Sequence, residues 1–205
     1  MLKVVNQHNR AREHIALRSM FAARKQVFVD LLKWDLPVLA DRFEVDQFDG
    51  PHATYLIVAN AEGEHLASAR LLPTTRPAIL DALFPHLVAG PVPQGKGIAE
   101  ITRFCLSRDV NAAMRRTARD QLLAGLVDHA LENAIRSYTG VAELGWFRQI
   151  QRFGWDCRSL GEPRIDGGRL LTALRIEIDA ATPARLAAAG IGSGAMTGST
   201  PAAAA

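Results

Sequence analysis

Thr54-Tyr55-Leu56-Ile57-Val58-Ala59-Asn60, Ala61-Glu62-Gly63-Glu64 and His65-Leu66-Ala67-Ser68-Ala69-Arg70-Leu71-Leu72 form the stretch that decides the fold class. Two runs rich in aliphatic and β-branched residues flank a Glu-Gly turn, which predicts an antiparallel hairpin. Upstream, residues 9–33 have a helical pattern: Leu17, Met20, Phe21, Phe28 and Leu31 share a stripe at three- and four-residue spacing. Pro37 follows that region, and residues 41–51 are an acidic loop broken by Gly50 and Pro51. Downstream, five prolines surround a short helix at 79–83, and residues 98–106 form a third strand. A long helix is expected over 117–137, with Ala118, Leu122, Leu126 and Ala130 on one face and Gly140 just beyond its end. A short strand at 141–144, a short helix at 146–153 and a closing strand at 170–178 complete the order. This succession predicts an α/β fold with a mixed, mostly antiparallel sheet flanked by helices. Residues 1–182 read as one domain. Residues 183–205, rich in Ala, Gly, Ser and Thr, read as a disordered tail, because they offer too little apolar surface to offset their ordering entropy.

The 205 residues suffice for one domain with a sizeable core, and 48% hydrophobic with 22% charged residues suits a soluble globular protein. No apolar run reaches the length of a membrane span, and the N-terminus lacks the long apolar stretch of a secretory signal. Cys105 and Cys157 form neither a CxxC pair nor a zinc spacing, so both read as reduced, buried thiols in a cytoplasmic protein, with no metal site. A net charge of +3 is too small to argue for nucleic acid. The arginines are nevertheless clustered: Arg115, Arg116 and Arg119 open one helix, and Arg148 and Arg152 lie in another. They are either solvated helix faces or a docking patch for an acidic carrier protein or a nucleotide phosphate.

Several polar residues sit where local patterning calls for apolar ones. Arg24 lies on the apolar stripe, three residues after Phe21 and four before Phe28, so it needs a carboxylate, carbonyls or a ligand anion, unless it snorkels at the helix edge. In Glu44-Val45-Asp46-Gln47-Phe48-Asp49 three acids flank two apolar residues. Either the loop is simply solvated, or Val45 and Phe48 anchor it while the acids face a cationic ligand. Arg70 shares a strand face with Leu66, Ser68 and Leu72, at a site wall or a sheet edge. In Ala99-Glu100-Ile101-Thr102-Arg103-Phe104-Cys105, strict alternation puts Glu100 and Arg103 on opposite faces. They serve one pocket only if the strand bulges or twists between them; otherwise they enter unrelated salt bridges. Trp34, just past the first helix, is a packing anchor or a ligand contact.

In order and approximate spacing, Arg24, Phe28, Trp34, Glu44, Asp46, Asp49, Arg70, Phe84, Glu100 and Arg103 resemble the signature set of the LuxI-type acyl-homoserine-lactone synthases. Phe153-Gly154-Trp155 is similar to that family's turn after its penultimate helix. The resemblance implies a GNAT-like acyltransferase fold. It implies two substrates, S-adenosylmethionine and an acyl thioester on acyl carrier protein or coenzyme A, no cofactor, and methylthioadenosine as by-product, in quorum-sensing signal production. By resemblance, Arg24, Phe28, Trp34, Glu44, Asp46 and Asp49 shape the adenosylmethionine site. Glu100 is the general base, with Arg70 and Arg103 organising the site electrostatically. Phe84, Thr102, Phe104, Val141, Glu143 and Trp146 are the acyl-pocket residues. Some members that take 3-oxo chains carry a Thr on the strand after the long helix; Val141-Ala142-Glu143 has none. No glycine-rich pyrophosphate loop lies between Cys105 and Thr117, and Gly95-Lys96-Gly97 is a turn, too short for a P-loop. The alternative is a GNAT enzyme acylating another amine from acyl-coenzyme A, which leaves the set from Arg24 to Asp49 unexplained. A binding domain that kept the scaffold without catalysis is a further alternative.

Overall fold

The computed structural model describes residues 1–192. The strands are β1 (Leu2–Val5), β2 (Val38–Leu39), β3 (Phe43–Glu44), β4 (Thr54–Ala59), β5 (His65–Pro73), β6 (Ile98–Leu106), β7 (Ser137–Glu143), β8 (Asp156–Ser159), β9 (Arg164–Asp166) and β10 (Arg169–Glu177). The α-helices are α1 (His14–Arg24), α2 (Ile79–Leu83), α3 (Ala112–Glu132), α4 (Leu144–Gln151) and α5 (Thr182–Ala188). The main sheet runs β1-β4-β5-β6-β7-β10-β8, with β9 pairing β10, and β2 and β3 form a small separate ribbon. Among the described residues only β6 and β7 pair in parallel, so the sheet is mixed and mostly antiparallel, as expected.

Strand alternation divides the core. Leu56 and Val58 of β4 face the long helix α3 with its Leu122, Leu123, Leu126 and Val127. Tyr55 and Ile57 point the other way, onto Leu17 and Met20 of α1. Each face thus buries a helix whose apolar stripe recurs at helical spacing, and the sheet is sandwiched between them. The helical expectation for residues 9–33 holds from His14; Asn9 to Glu13 form turns. Past Arg24 the backbone widens into a π-helix, Lys25–Leu31, a form common at functional sites.

Other boundaries move for identifiable reasons. The long helix starts five residues before the expected Thr117, because the Asn111 side chain accepts the Met114 N–H at 2.9 Å and caps it. It ends at Glu132, and Gly140 is not its C-terminal cap but lies inside β7. A Cβ at Gly140 would stand 2.9 Å from the Ile101 carbonyl oxygen. The tail boundary at residue 182 is also corrected. Helix α5 carries Pro183 in its first turn, and Leu186 and Ile191 are buried in the main core. Two apolar side chains among many small ones give no periodic signal, yet they suffice when an existing core receives them. The remainder of that segment, 193–205, lies outside the described residues.

Two irregularities open the middle of the sheet. β6 and β7 pair only at Ile98↔Ser137, Ala99↔Tyr138 and Glu100↔Thr139, and then part. Between β5 and β6 the register slips: Arg70 opposes Thr102 but Ser68 opposes Cys105, so β6 carries one extra residue. Arg103 sits in that bulge with φ 52°, a left-handed conformation uncommon for a residue with a Cβ and one that re-aims its side chain.

His65, beside the turn of the β4–β5 hairpin, is buried: its Nε2 pairs with Ser68 Oγ at 2.8 Å, and Nδ1 has no partner. Burial pushes its pKa down from 6.5 to about 4. Between those values the unfolded chain binds a proton that the folded chain refuses, so acid favours unfolding. Urea midpoints should fall as pH drops from 6.5 towards 4, and His65→Leu should flatten that slope.

Candidate active site

Three arginines and three carboxylates from four elements converge between α1 and the sheet. Arg24, at the end of α1, is fully buried. Its Nε bonds Glu44, and its two terminal nitrogens bond Asp49 as a fork, both at 2.9 Å. Arg70 forks onto Asp46 at 2.6 and 3.0 Å, and its Nε donates to Thr102 Oγ1 at 2.9 Å. Arg103, turned by the bulge, reaches Glu44 Oε1 at 3.1 Å and Asp46 Oδ2 at 2.7 Å. The Tyr55 hydroxyl donates to Asp49 at 2.8 Å, and Arg10 ties Tyr55 and the backbone of residues 49 and 50 to the N-terminal loop.

Burial alone would raise Asp49, but the guanidiniums of Arg24 and Arg70 hold its carboxyl well below the usual range. Burial likewise opposes the charge on Arg24, and the carboxylates of Asp49 and Glu44 outweigh it, raising its pKa. Glu44, Asp46 and Asp49 present oxygens close enough together for a cation. Three guanidiniums already take them up, so the cluster is charge-balanced. The acids therefore do not form an unpaired negative surface, and Arg24 and Glu44 are both wholly buried.

Beside the cluster, where β6 and β7 part, lies a cavity of about 640 Å³. All six residues assigned to the acyl pocket line it: Phe84, Thr102, Phe104, Val141, Glu143 and Trp146. So do Phe28, Trp34, Asp46, Glu100 and Arg103, whereas Arg24, Glu44, Asp49 and Arg70 stand behind its wall. Phe28 and Trp34 stack at 4.9 Å, and Phe104 meets Trp146 at 5.4 Å. Leu123 from α3 and Leu174 and Ile176 from β10 also line the cavity.

Glu100 occupies the fork. Its two oxygens each accept the Leu80 N–H at 3.1 Å, from the first turn of α2. Burial pushes its pKa up to about 7; the Leu80 N–H opposes this and Asp81 adds to it. A carboxylate of that pKa exchanges a proton readily near neutral pH. No charged partner competes for it at hydrogen-bonding distance among the described residues.

Sequence reasoning missed several members. Thr139 is one, because the strand was expected to start at Val141. The strand in fact starts at Ser137, so Thr139 lies in the cavity wall opposite Glu100, its buried hydroxyl without a partner. Tyr55, whose hydroxyl meets Asp49, is another. Arg169 gave no local signal at all.

The docking patch is only partly free. Arg115 donates to the carbonyls of Ser107, Arg108 and Val110, and Arg119 bonds Asp120 and lies over Phe153. Arg116, Arg148 and Arg152 are exposed.

A profile described as autoinducer synthase matches residues 7–186. The chain is 38% identical over 170 residues to an acyl-homoserine-lactone synthase of Ralstonia nicotianae, covering 80% of this chain and 82% of that one. The chain belongs to the autoinducer synthase family. It is an acyltransferase, and its activity is acyl-homoserine-lactone synthesis. Among solved structures it resembles the CoA-dependent acyl-homoserine lactone synthase BjaI, solved with MTA and with SAM and isopentyl-CoA. That match has a TM-score of 0.82 at 26% identity and covers 92% of this chain and 87% of that one. A putative N-acetyltransferase from Lactobacillus plantarum matches with a TM-score of 0.58 at 16% identity, over 87% of this chain and 99% of that one; it shares the GNAT-like fold alone.

Removing Arg24 would leave Glu44 to Arg103 and Asp49 to Arg70 and Tyr55, three buried carboxylates sharing two guanidiniums. Arg24→Ala should therefore cost about 3–5 kcal/mol, the range for breaking a buried ion pair. Chemical denaturation would measure it, and a loss below about 1 kcal/mol would mean the cluster does not hold the fold.

Proposed function

We propose that Glu100 is the general base of this synthase and that the cleft between β6 and β7 holds the acyl thioester against S-adenosylmethionine. The observation that carries this reading is a lone carboxylate with a pKa near neutrality, placed where two strands part beside a largely apolar cavity. The adenosylmethionine amine gives a proton to Glu100, directly or through a water, and attacks the thioester carbonyl. The thiol leaves and the amide forms. The substrate's carboxylate then attacks the carbon beside the sulfonium, closing the lactone. The bond to sulfur breaks with its electron pair, so methylthioadenosine leaves neutral, and the step needs positioning more than acid.

Phe28, Trp34 and Asp46 contact adenosylmethionine in this reading. Arg24, Glu44 and Asp49 fix the wall behind them, with Arg70 and Arg103 bracing Asp46. Aromatic faces suit a sulfonium where the carboxylates are already balanced. The apolar lining from Phe84, Phe104, Val141 and Trp146 takes the acyl chain. Adenosylmethionine and the acyl thioester are both substrates, and the reaction needs no cofactor. We place it in the cytoplasm, where the thiols of Cys105 and Cys157, free here, remain reduced. No helix among the described residues is long and apolar enough to cross a membrane.

The thioester is carried by coenzyme A or by acyl carrier protein. The exposed Arg116, Arg148 and Arg152 suit an acidic carrier protein. The double variant Arg148→Glu/Arg152→Glu should then slow turnover of the acyl-carrier thioester and spare that of the coenzyme A thioester. Equal rates with both donors would remove the patch from the mechanism.

The purified chain, given adenosylmethionine and acyl thioesters, should release methylthioadenosine and lactone in equal amounts by mass spectrometry. Acylation of some other amine without methylthioadenosine would favour the GNAT alternative. Glu100→Gln should lower turnover about 10²-fold. The wild-type rate should fall as pH drops below about 7, where Glu100 gains its proton, and the variant should lack that limb.

A further inference from the structure

The geometry points to Arg169 as a positioning residue for the adenosylmethionine pocket: from the far side of the cleft it clamps the Trp34 indole that the ligand meets. This rests on the reading that Trp34 belongs to that pocket.

Phe28 and Trp34 form a two-ring stack, and each end of it is capped by a guanidinium. Arg103 lies over Phe28 at 5.8 Å, and Arg169 over Trp34 at 4.9 Å. The two ends are held very differently. Arg103 is locked onto Glu44 and Asp46, beneath the β6 side of the cleft. Arg169 comes from β10, beyond β7, and meets a carboxylate only loosely, Glu143 at 3.9 Å, where both side chains are partly exposed. The stack therefore bridges the parted strands, fixed at one end and clasped by one residue at the other. A guanidinium over an indole face is attractive, and more so as water is excluded.

Arg169 is held in register for this task. It is the first residue of β10, paired with Asp166 across the two-residue turn Gly167-Gly168. Both glycines have positive φ, 53° and 78°, the requirement of the tight hairpin turn that matches strand twist. Asp166 in turn meets His86 Nε2 at 2.9 Å, which anchors the ribbon to the segment after α2. Arg169 and Leu171 share a strand face, and both line the cavity. Trp34 lines the same cavity, and its indole N–H is buried without an acceptor, so a guanidinium over the ring is what fixes its plane.

The test is calorimetric titration of S-adenosylmethionine into the full chain, with steady-state kinetics beside it. Arg169→Ala should weaken adenosylmethionine binding about 3- to 30-fold, the span of a cation–π contact. It should raise the KM for adenosylmethionine and not that for the acyl thioester. Arg169→Lys, which keeps a cation over the ring, should recover part of the affinity; Arg169→Gln should not. Arg164→Ala removes the same charge from the same ribbon and should bind as the wild type does. In a double-mutant cycle with Trp34→Ala, the Arg169→Ala effect should largely vanish. Unchanged or tighter binding in Arg169→Ala would overturn the proposal. So would an equal rise in both KM values with a lowered Tm, which marks a structural role. Binding is read without turnover, so a wild type that binds adenosylmethionine but makes no lactone would contradict the synthase reading while the clamp was still measured. A wild type that does not bind it would overturn both.

Discussion

The structure depends on a charge-balanced lattice in which Arg24, Arg70 and Arg103 share Glu44, Asp46 and Asp49 in a space largely closed to water. Each group alone would be costly to bury, and only mutual pairing with forked geometry makes the set tolerable. The cost of breaking it is the source of its specificity. The acidic loop, the end of α1, β5 and the bulge of β6 must arrive together, because a missing partner leaves an uncompensated charge. The lattice joins the helical layer carrying Phe28 and Trp34 to the sheet carrying Glu100. The cleft therefore inherits its geometry from these ion pairs.

Arg103 shows how the two functions meet. On a regular strand it would point away from Glu100. One extra residue in β6 and a positive φ bring its guanidinium to Glu44 and Asp46 and leave it on the cavity wall. Such backbone strain persists only where surrounding contacts over-determine it, and two carboxylates do so here. A few residues earlier, β6 leaves β7, and the room that opens is lined by apolar side chains from both strands. Parted strands and a bulge turn a sheet into a cleft without any added loop.

Much of this was legible in the sequence. The hairpin, the third strand and the stripe of α1 followed from periodicity. The misplaced Arg24, Arg70 and Arg103 and the acidic loop were visible as violations of that periodicity, and their order carried the family resemblance. What stayed hidden was mutual occupancy. The pattern of Glu44, Asp46 and Asp49 states that acids are present, but not that arginines 20 to 59 residues away consume them. β1 and β9 are short and mixed in composition, and α5 buries only what a pre-existing core accepts. Thr139 escaped because the long helix ends at Glu132, five residues short of its expected end, so β7 begins at Ser137 rather than Val141. Arg169 escaped because its partner ring lies across the cleft, a relation no local pattern encodes.

The central claim is a division of labour: the ion lattice is scaffold, and the cleft beside it is the site. A crystal structure with methylthioadenosine and an acyl-chain analogue bound tests this most directly. The account predicts the nucleoside against Phe28 and Trp34, the chain between β6 and β7 within reach of Glu100, and the lattice of arginines and carboxylates unaltered. A ligand that replaces Arg24 or Asp49 in their pairings, or an acyl chain seated outside the parted strands, would contradict it.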